Sequence, residues 1–143
     1  MSAMTTIDPL SDYPGYQLRR ASSAAMATLA KRLGALSLRP TEATVLMVIE
    51  ANPNITQSEI GRLLDIASAN MAPLVSRLEE RDLVGRTPVD GRSDGLGLRA
   101  AGRTVTARVK KVLAAHEQTL LSKVPASCRA AFLAGLRAIW EES

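Results

Sequence analysis

The sequence predicts a mainly α-helical protein that carries one small two-stranded β-hairpin, and three observations support this fold class. Ala and Leu are abundant among the 143 residues, whereas aromatic residues make up only 3% of them, a composition that favours helices packed through aliphatic side chains. Apolar residues recur at helical spacing along most of the chain. The exception is a pair of short extended segments around Asp90-Gly91 and Asp94-Gly95, and Asp-Gly dipeptides are a strong hairpin signal.

The first predicted element is a long amphipathic helix over Pro14–Leu33. Proline suits the first turn of a helix, and apolar residues recur from Leu18 to Leu33 at helical spacing. Residues 1–12 are expected to be a flexible leader. They lack the basic start and the apolar run of a signal peptide, and the chain has one cysteine, so we expect a cytoplasmic protein with no membrane contact.

Three short helices are expected next. The first begins at Pro40 or Thr41, both of which suit a helix start, and ends at the turn Asn52-Pro53-Asn54. The second begins at Thr56-Gln57-Ser58-Glu59, which has the spacing of a capping box, and its core face is Ile60, Leu63 and Leu64.

The third short helix runs from about Ser68 to Arg81, after a break at Asp65–Ala67. The hairpin strands are predicted over Leu83–Thr87 and Leu96–Leu98. A second long helix then covers Ala100–Val124, and a last helix follows Pro125.

This order of elements is the layout of a winged helix-turn-helix, in which the hairpin is the wing. We assign residues 36–103 to that domain and residues 13–35 and 104–143 to a helical dimerisation domain. The long outer helices bury little within so small a domain, and the simplest partner for them is a second copy of the chain.

The third short helix carries small or hydrogen-bonding side chains, as a helix entering the major groove requires. Asparagine can bond adenine in a bidentate manner, and arginine can bond guanine in the same way. Pro73 is interpreted as lying near the first turn, where proline costs little. The alternative interpretation, an ordinary polar helix face, stays open on these residues alone. The predicted contacts with double-stranded DNA outside the wing are Thr56, Gln57, Ser68, Asn70, Pro73, Ser76 and Arg77.

The hairpin tip adds Asp90, Arg92 and Ser93 to the predicted DNA contacts. Arg92 is a cation on a rigid hairpin, which suits insertion in the minor groove or contact with a phosphate. Asp90 can hold the Arg92 guanidinium in a bidentate pair. A solvated turn is the alternative interpretation.

Net charge does not support this prediction. The whole chain carries a formal charge of +4, but residues 56–103 hold seven basic and seven acidic residues. DNA binding would therefore depend on individually placed groups and not on a basic patch. The chain has a single histidine and no Gly-rich phosphate loop or nucleophile elbow, so we expect no enzyme, no cofactor and no metal site.

Nearly the whole chain after the leader resembles the MarR family of bacterial regulators. The resemblance is carried by Leu38–Glu42, by Ile55–Leu64, by Asn70–Val84, and by Asp90-Gly91-Arg92-Ser93 with Leu96, Leu98 and Gly102. The chain departs from the family pattern in a wing about two residues shorter than usual, in Ala67 before the third short helix, and in Arg99 before the long helix.

The resemblance implies a homodimeric regulator, commonly a repressor, that binds a pseudo-palindromic operator. Each recognition helix would enter a major groove and each wing arginine the adjacent minor groove. Many members release DNA when a small aromatic acid binds between their two domains. Tyr16, Arg19 and Arg20 are the candidates for holding such a phenolic or aromatic carboxylate effector, although a solvent-facing or intersubunit charge explains the arginines equally well.

Two further residues are interpreted as structural. His116, on the apolar side of the long helix, is expected to be a packed histidine, and Cys128 a small buried residue. A winged-helix module that binds a protein in place of DNA remains the alternative function.

Overall fold

The computed structural model describes residues 5–89 and 94–141. In this part of the chain there are six α-helices, three β-strands and two short 3-10 turns. The helices are α1 (Pro14–Leu33), α2 (Pro40–Ala51), α3 (Gln57–Leu64), α4 (Ser68–Glu80), α5 (Ala100–Ser122) and α6 (Arg129–Trp140). The strands are β1 (Ile55–Thr56), β2 (Val84–Pro88) and β3 (Asp94–Leu98), and the 3-10 turns are Gly34–Leu36 and Ala126–Cys128.

Helix α1 has the bounds that the sequence predicts, with Pro14 at its first position. It packs on α2 and α5, but only its second half enters the core, through Leu29 and Leu33. Leu18 in its first half and Met26 just past its middle are exposed. The C-terminal end of α1 is therefore buried in the core, whereas apolar side chains nearer its N-terminal end are not covered within the protomer.

The core is formed where the second half of α1 meets α2, α3, α4, α5 and the sheet. The fully buried side chains come from each of these elements and include Leu46, Ile60, Val75, Leu96 and Val109. They are almost all aliphatic, as the composition predicts, and their burial removes the apolar faces of these elements from water. This core fixes α3 and α4 against the base of the hairpin.

The sheet has one strand more than the two predicted. Its order is β1-β3-β2 with antiparallel pairing, and β1 contributes only Ile55 and Thr56, which pair with Leu96 and Gly95. Gly95 allows this close approach, because a Cβ there would lie 2.8 Å from the backbone of Asn54. The mainly α fold with a wing is otherwise as predicted.

The start of α5 is packed tightly against the base of the wing. The backbone carbonyl of Leu83 accepts a hydrogen bond of 2.9 Å from the amide of Arg99. A Cβ at Gly102 would lie 1.9 Å from the same carbonyl oxygen. Only glycine fits at this position without movement of the backbone.

Burial contradicts the prediction at Leu63 and Cys128 and confirms it at Ile60 and His116. Leu63 was expected in the core but is 62% exposed, because the packed side of α3 is centred on Ile60 and Gly61. Cys128 was expected to be buried but is exposed, because it lies just before α6, a helix with no buried residue in the protomer. His116 is buried as predicted, at 5% exposure.

Among the helices of the described residues, none combines the length and the apolar composition needed to cross a bilayer.

Candidate nucleic-acid interface

The turn between α3 and α4 is tight because two residues permit it. Asp65 ends α3 in the left-handed region at φ 54°, a conformation that aspartate tolerates better than most residues. The amide of Ile66 then donates to the carbonyl of Gly61 at 2.8 Å. A side chain at Gly61 would meet the carbonyl oxygen of Ile66 at 3.0 Å, so glycine lets the chain fold back closely enough to start α4.

Helix α4 separates an apolar side from a polar side. Met71, Leu74, Val75 and Leu78 are buried, whereas Ser68, Asn70, Pro73 and Ser76 are exposed. At 100° per residue Pro73 and Ser76 lie opposite the centre of the buried side, whereas Ser68 and Asn70 lie at its two edges. These four residues together span the exposed side of α4 from one edge to the other, and we call this surface the recognition face.

Pro73 lies deeper in α4 than the sequence analysis expected. The helix begins at Ser68, so Pro73 is in the second turn and not near the first. Proline has no amide hydrogen, so the carbonyl of Ala69 loses the donor that would normally lie four residues on. Pro73 is itself exposed, and its ring adds an apolar surface to the recognition face.

Arg77 is half-exposed and forms an ion pair with Glu42 of α2. Its Nε lies 3.5 Å from Oε2 of Glu42, whose side chain is only 7% exposed. The other carboxylate oxygen of Glu42 accepts the amide of Arg39 at 2.9 Å. Together with Thr41 and Asn70, these residues line a surface groove of about 580 Å³ between the start of α2 and the recognition face. Arg77 thus has a structural contact besides the DNA contact predicted for it.

Thr56 forms the capping box that the sequence predicts. Its hydroxyl accepts the amide of Glu59 at 3.2 Å, and its own amide donates to the Glu59 carboxylate at 2.9 Å. Because the cap uses the hydroxyl as an acceptor, the hydroxyl hydrogen remains a donor for a phosphate.

Gln57, the first residue of α3, contacts the wing. Its side-chain oxygen accepts a hydrogen bond from a terminal nitrogen of Arg86 at 3.3 Å. The same guanidinium binds Glu79 of α4, with Nε at 3.0 Å and the terminal nitrogen at 2.9 Å from one carboxylate oxygen. We call Gln57, Glu79 and Arg86 the wing-anchoring cluster.

The predicted tip residues Asp90, Arg92 and Ser93 lie outside the described residues. The strands on either side are described, and the last pair that they form is Pro88 with Asp94. The hairpin predicted from the two Asp-Gly dipeptides is therefore present up to the tip.

The three candidate effector residues cluster on α1. The guanidinium carbons of Arg19 and Arg20 lie 5.6 and 5.9 Å from the centre of the Tyr16 ring, within the range of a cation–π contact. The Tyr16 hydroxyl donates to the carboxylate of Asp8 at 2.9 Å. Both arginines are exposed in the protomer.

Sequence reasoning missed Glu42, Glu79 and Arg86. Glu42 follows Arg39 by three residues, the same spacing that revealed the box at Thr56, so its reach back to the Arg39 amide could have been predicted. Arg86 lies two residues after the buried Val84, and period-two alternation places both on one face. A charge on that face needs partners, and they come from distant parts of the chain.

Three short helices with a tight turn before an exposed polar helix, followed by an antiparallel hairpin, define a winged helix-turn-helix protein. A family model described as the MarR family matches residues 36–93. The chain belongs to the MarR family and is a transcriptional regulator of that type.

Solved structures extend the similarity to almost the full chain. The transcriptional repressor CouR bound to a 23-mer DNA duplex is 34% identical, with a TM-score of 0.87, over 96% of this chain and 99% of its own. CouR bound to p-coumaroyl-CoA is 33% identical, with a TM-score of 0.86, over 96% and 99%. The PcaV transcriptional regulator of Streptomyces coelicolor, in complex with its natural ligand, is 26% identical, with a TM-score of 0.79, over 96% and 98%.

Proposed function

We propose that this chain is a dimeric repressor that binds a pseudo-palindromic operator through the recognition face and the wing. The observation that carries the proposal is the recognition face, on which small and hydrogen-bonding side chains are exposed while the other side of α4 packs in the core. Such a face can approach base edges in the major groove without steric hindrance. The similarity to CouR, which was solved on a DNA duplex, supports the same interpretation.

The contacts would divide into specific and positioning ones. Ser68, Asn70, Pro73 and Ser76 face the bases, and Asn70 is the strongest candidate for a bidentate contact with adenine. Arg77 borders this face and can contact a base or a phosphate, while Thr56 lies at a helix start that suits a phosphate. Asp90, Arg92 and Ser93 of the wing would reach the minor groove.

The dimer would form through the outer helices, residues 13–35 and 104–143. All twelve residues of α6 are at least partly accessible in the protomer, and Phe132, Leu133, Ile139 and Trp140 are exposed by 39–71%. Large exposed apolar patches mark interfaces. A second copy of the chain would cover this surface isologously and place two recognition faces on one side, at the spacing of successive major grooves.

The effector would bind on the first half of α1, at Tyr16, Arg19 and Arg20. Arg19 and Arg20 beside the Tyr16 ring offer an aromatic surface and two cations, which suits an aromatic carboxylate. A thioester of coenzyme A is a second candidate class, because CouR was solved with p-coumaroyl-CoA and such a ligand adds phosphates that exposed arginines can bind. The effector would release the operator if it binds more tightly to a dimer whose two recognition faces no longer match successive major grooves.

We expect the protein to act in the cytoplasm. The proposal is tested by measuring its binding to the DNA upstream of its own gene. Fluorescence anisotropy of a labelled duplex should show specific binding that weakens as the salt concentration rises, because phosphate contacts release counterions. Asn70→Ala should reduce the preference for the operator over unrelated DNA by about 5- to 150-fold, the range of a bidentate contact.

Each competing function has its own outcome in this experiment. Equal affinity for operator and unrelated DNA would contradict sequence-specific regulation. No DNA binding by a folded dimer would favour the alternative, a winged-helix module that recognises a protein. Titration with a panel of aromatic acids and their coenzyme A thioesters then tests the effector: neither heat nor operator release would contradict it, and release by only one class identifies that class.

A further inference from the structure

Arg86 occupies an unusual position for a charged residue. It follows the buried Val84 by two positions on β2, so both side chains lie on the face of the strand that looks toward the helices. Val84 is 1% exposed, whereas the Arg86 side chain is 35% exposed. Arg86 is thus the first partly exposed side chain of β2 on this face, although its cross-strand partner Leu96 is fully buried.

The contacts of Arg86 join three elements that are separate in sequence. Its guanidinium binds Glu79 near the end of α4 at 2.9 and 3.0 Å and Gln57 at the start of α3 at 3.3 Å. The Glu79 contact uses two nitrogens of the planar guanidinium, which restricts its orientation more than a single hydrogen bond does. The wing is therefore connected directly to both helices of the helix-turn-helix.

Beyond the pair of Arg86 with Leu96, the described residues of the wing are exposed except Gly95. β2 is an edge strand that pairs with β3, and β1 reaches β3 only at Leu96 and Gly95. Beyond Val84, the side chains of Arg86, Thr87 and Pro88 are all exposed. Since each strand residue adds about 3.3 Å, a small tilt of β2 at Arg86 is amplified toward the tip that contains Arg92.

The charges of the cluster distinguish anchoring from direct contact with DNA. Glu79 opposes the binding of a polyanion if it acts only through its charge, so its removal would strengthen DNA binding. If Glu79 acts by holding Arg86 and the wing, its removal weakens binding. The two roles of Glu79 thus predict changes of DNA affinity with opposite signs.

We propose that the wing-anchoring cluster fixes the wing relative to the recognition helix, and that Arg86 is a positioning residue for the wing and does not contact DNA itself. The inference also assigns Gln57 to the support of the wing in place of a DNA contact. The effect of the cluster on operator binding rests on the proposed function above, whereas its effect on the position of the wing does not.

The first test measures the wing without DNA, by hydrogen exchange in the full chain. Arg86→Gln and Glu79→Gln should each speed exchange of the described β2 and β3 amides by about tenfold, because the strand then opens locally, and Gln57→Ala should act in the same direction. Amides of α5 serve as the internal control for global unfolding. Arg108→Gln, on an exposed position of α5, makes the same change of charge elsewhere and should leave the wing amides unaltered. Unchanged wing exchange in both cluster variants would overturn the proposal.

The second test is a double-mutant cycle on operator affinity. Arg86→Gln should weaken binding about tenfold in the natural chain. In a chain that already carries Arg92→Gln, the same change should weaken binding less than twofold further, because Arg86 acts through the wing tip. Glu79→Gln should also weaken binding, and Arg108→Gln should change it less than twofold. Additive effects of Arg86→Gln and Arg92→Gln, or tighter binding by Glu79→Gln, would show direct contact or simple electrostatics and overturn the proposal. Absence of DNA binding by the natural chain would instead contradict the proposed function, and hydrogen exchange alone would then decide whether the cluster anchors the wing.

Discussion

Replacing Gly102 by alanine should destabilise the protein more than any other glycine-to-alanine change in the described part of the chain. The added Cβ would lie 1.9 Å from the carbonyl oxygen of Leu83, whereas real Cβ atoms essentially never come closer than 3.0 Å. The obstacle is backbone and cannot rotate away. The start of α5 and the base of the wing must therefore separate by about 1 Å.

The magnitude follows from two effects and an offset. Forcing an extra carbon into a packed contact costs about 1–3 kcal/mol. The separation also strains the hydrogen bond from the Arg99 amide to the Leu83 carbonyl, a bond worth about 0.5–1.5 kcal/mol. Alanine returns about 0.5–1 kcal/mol through its higher helix propensity. The free energy of unfolding should fall by about 2–3 kcal/mol, and Tm by about 5–10 °C.

Thermal unfolding followed by circular dichroism measures this change, at one fixed protein concentration because a dimer makes Tm depend on concentration. Gly34→Ala is the matched control. A Cβ at Gly34 would meet no atom within 4 Å, and the backbone there is right-handed helical at φ −57°, so alanine should be neutral or raise stability by up to about 1 kcal/mol. A Gly102→Ala protein as stable as the Gly34→Ala protein would refute the close packing of α5 on Leu83.

Three further changes test other contacts. Thr56→Ala removes the capping box and should cost about 1 kcal/mol in chemical denaturation, whereas Thr56→Ser should restore most of it; equal stability of the two variants would contradict the cap. Arg77→Ala leaves the buried Glu42 carboxylate without its cation and should cost about 1–3 kcal/mol, a loss that Arg77→Ala combined with Glu42→Gln should partly recover; an unrelieved loss would contradict the ion pair. Trp140→Ser should shift sedimentation toward a monomer at micromolar concentration, and an unchanged dimer would place the interface elsewhere.

The sequence predicts those elements whose signals are local. Pro14 marks the start of α1 because a proline ring suits the first turn, and Thr56 with Glu59 marks the start of α3 because their hydrogen bonds span only three residues. The exposed polar positions of α4 follow from helical periodicity in the same way. Each of these predictions was confirmed because its physical cause lies within a short stretch of the chain.

The errors arise where contacts are distant in sequence. The strand β1 consists of two residues and exists only through its pairing with Leu96 and Gly95, so no local periodicity reveals it. Leu63 looked like a core residue, but α3 packs through Gly61 against the turn and Met71, which rotates Leu63 outward. A glycine carries no hydrophobic side chain, so a pattern of apolar residues cannot show that its side of the helix is the buried one.

The acidic residues that make residues 56–103 neutral include two that form ion pairs within this segment. Within this segment, Glu79 pairs with Arg86 and Asp82 with Arg99, so two of the acidic residues neutralise arginines that support the wing and the start of α5. Such acids lower the net charge without lying among the proposed DNA contacts. Because the segment has no net charge, operator affinity should depend more on the placement of Asn70 and Arg92 than on bulk charge, and its salt dependence should be shallower than that of a basic DNA-binding domain of equal size.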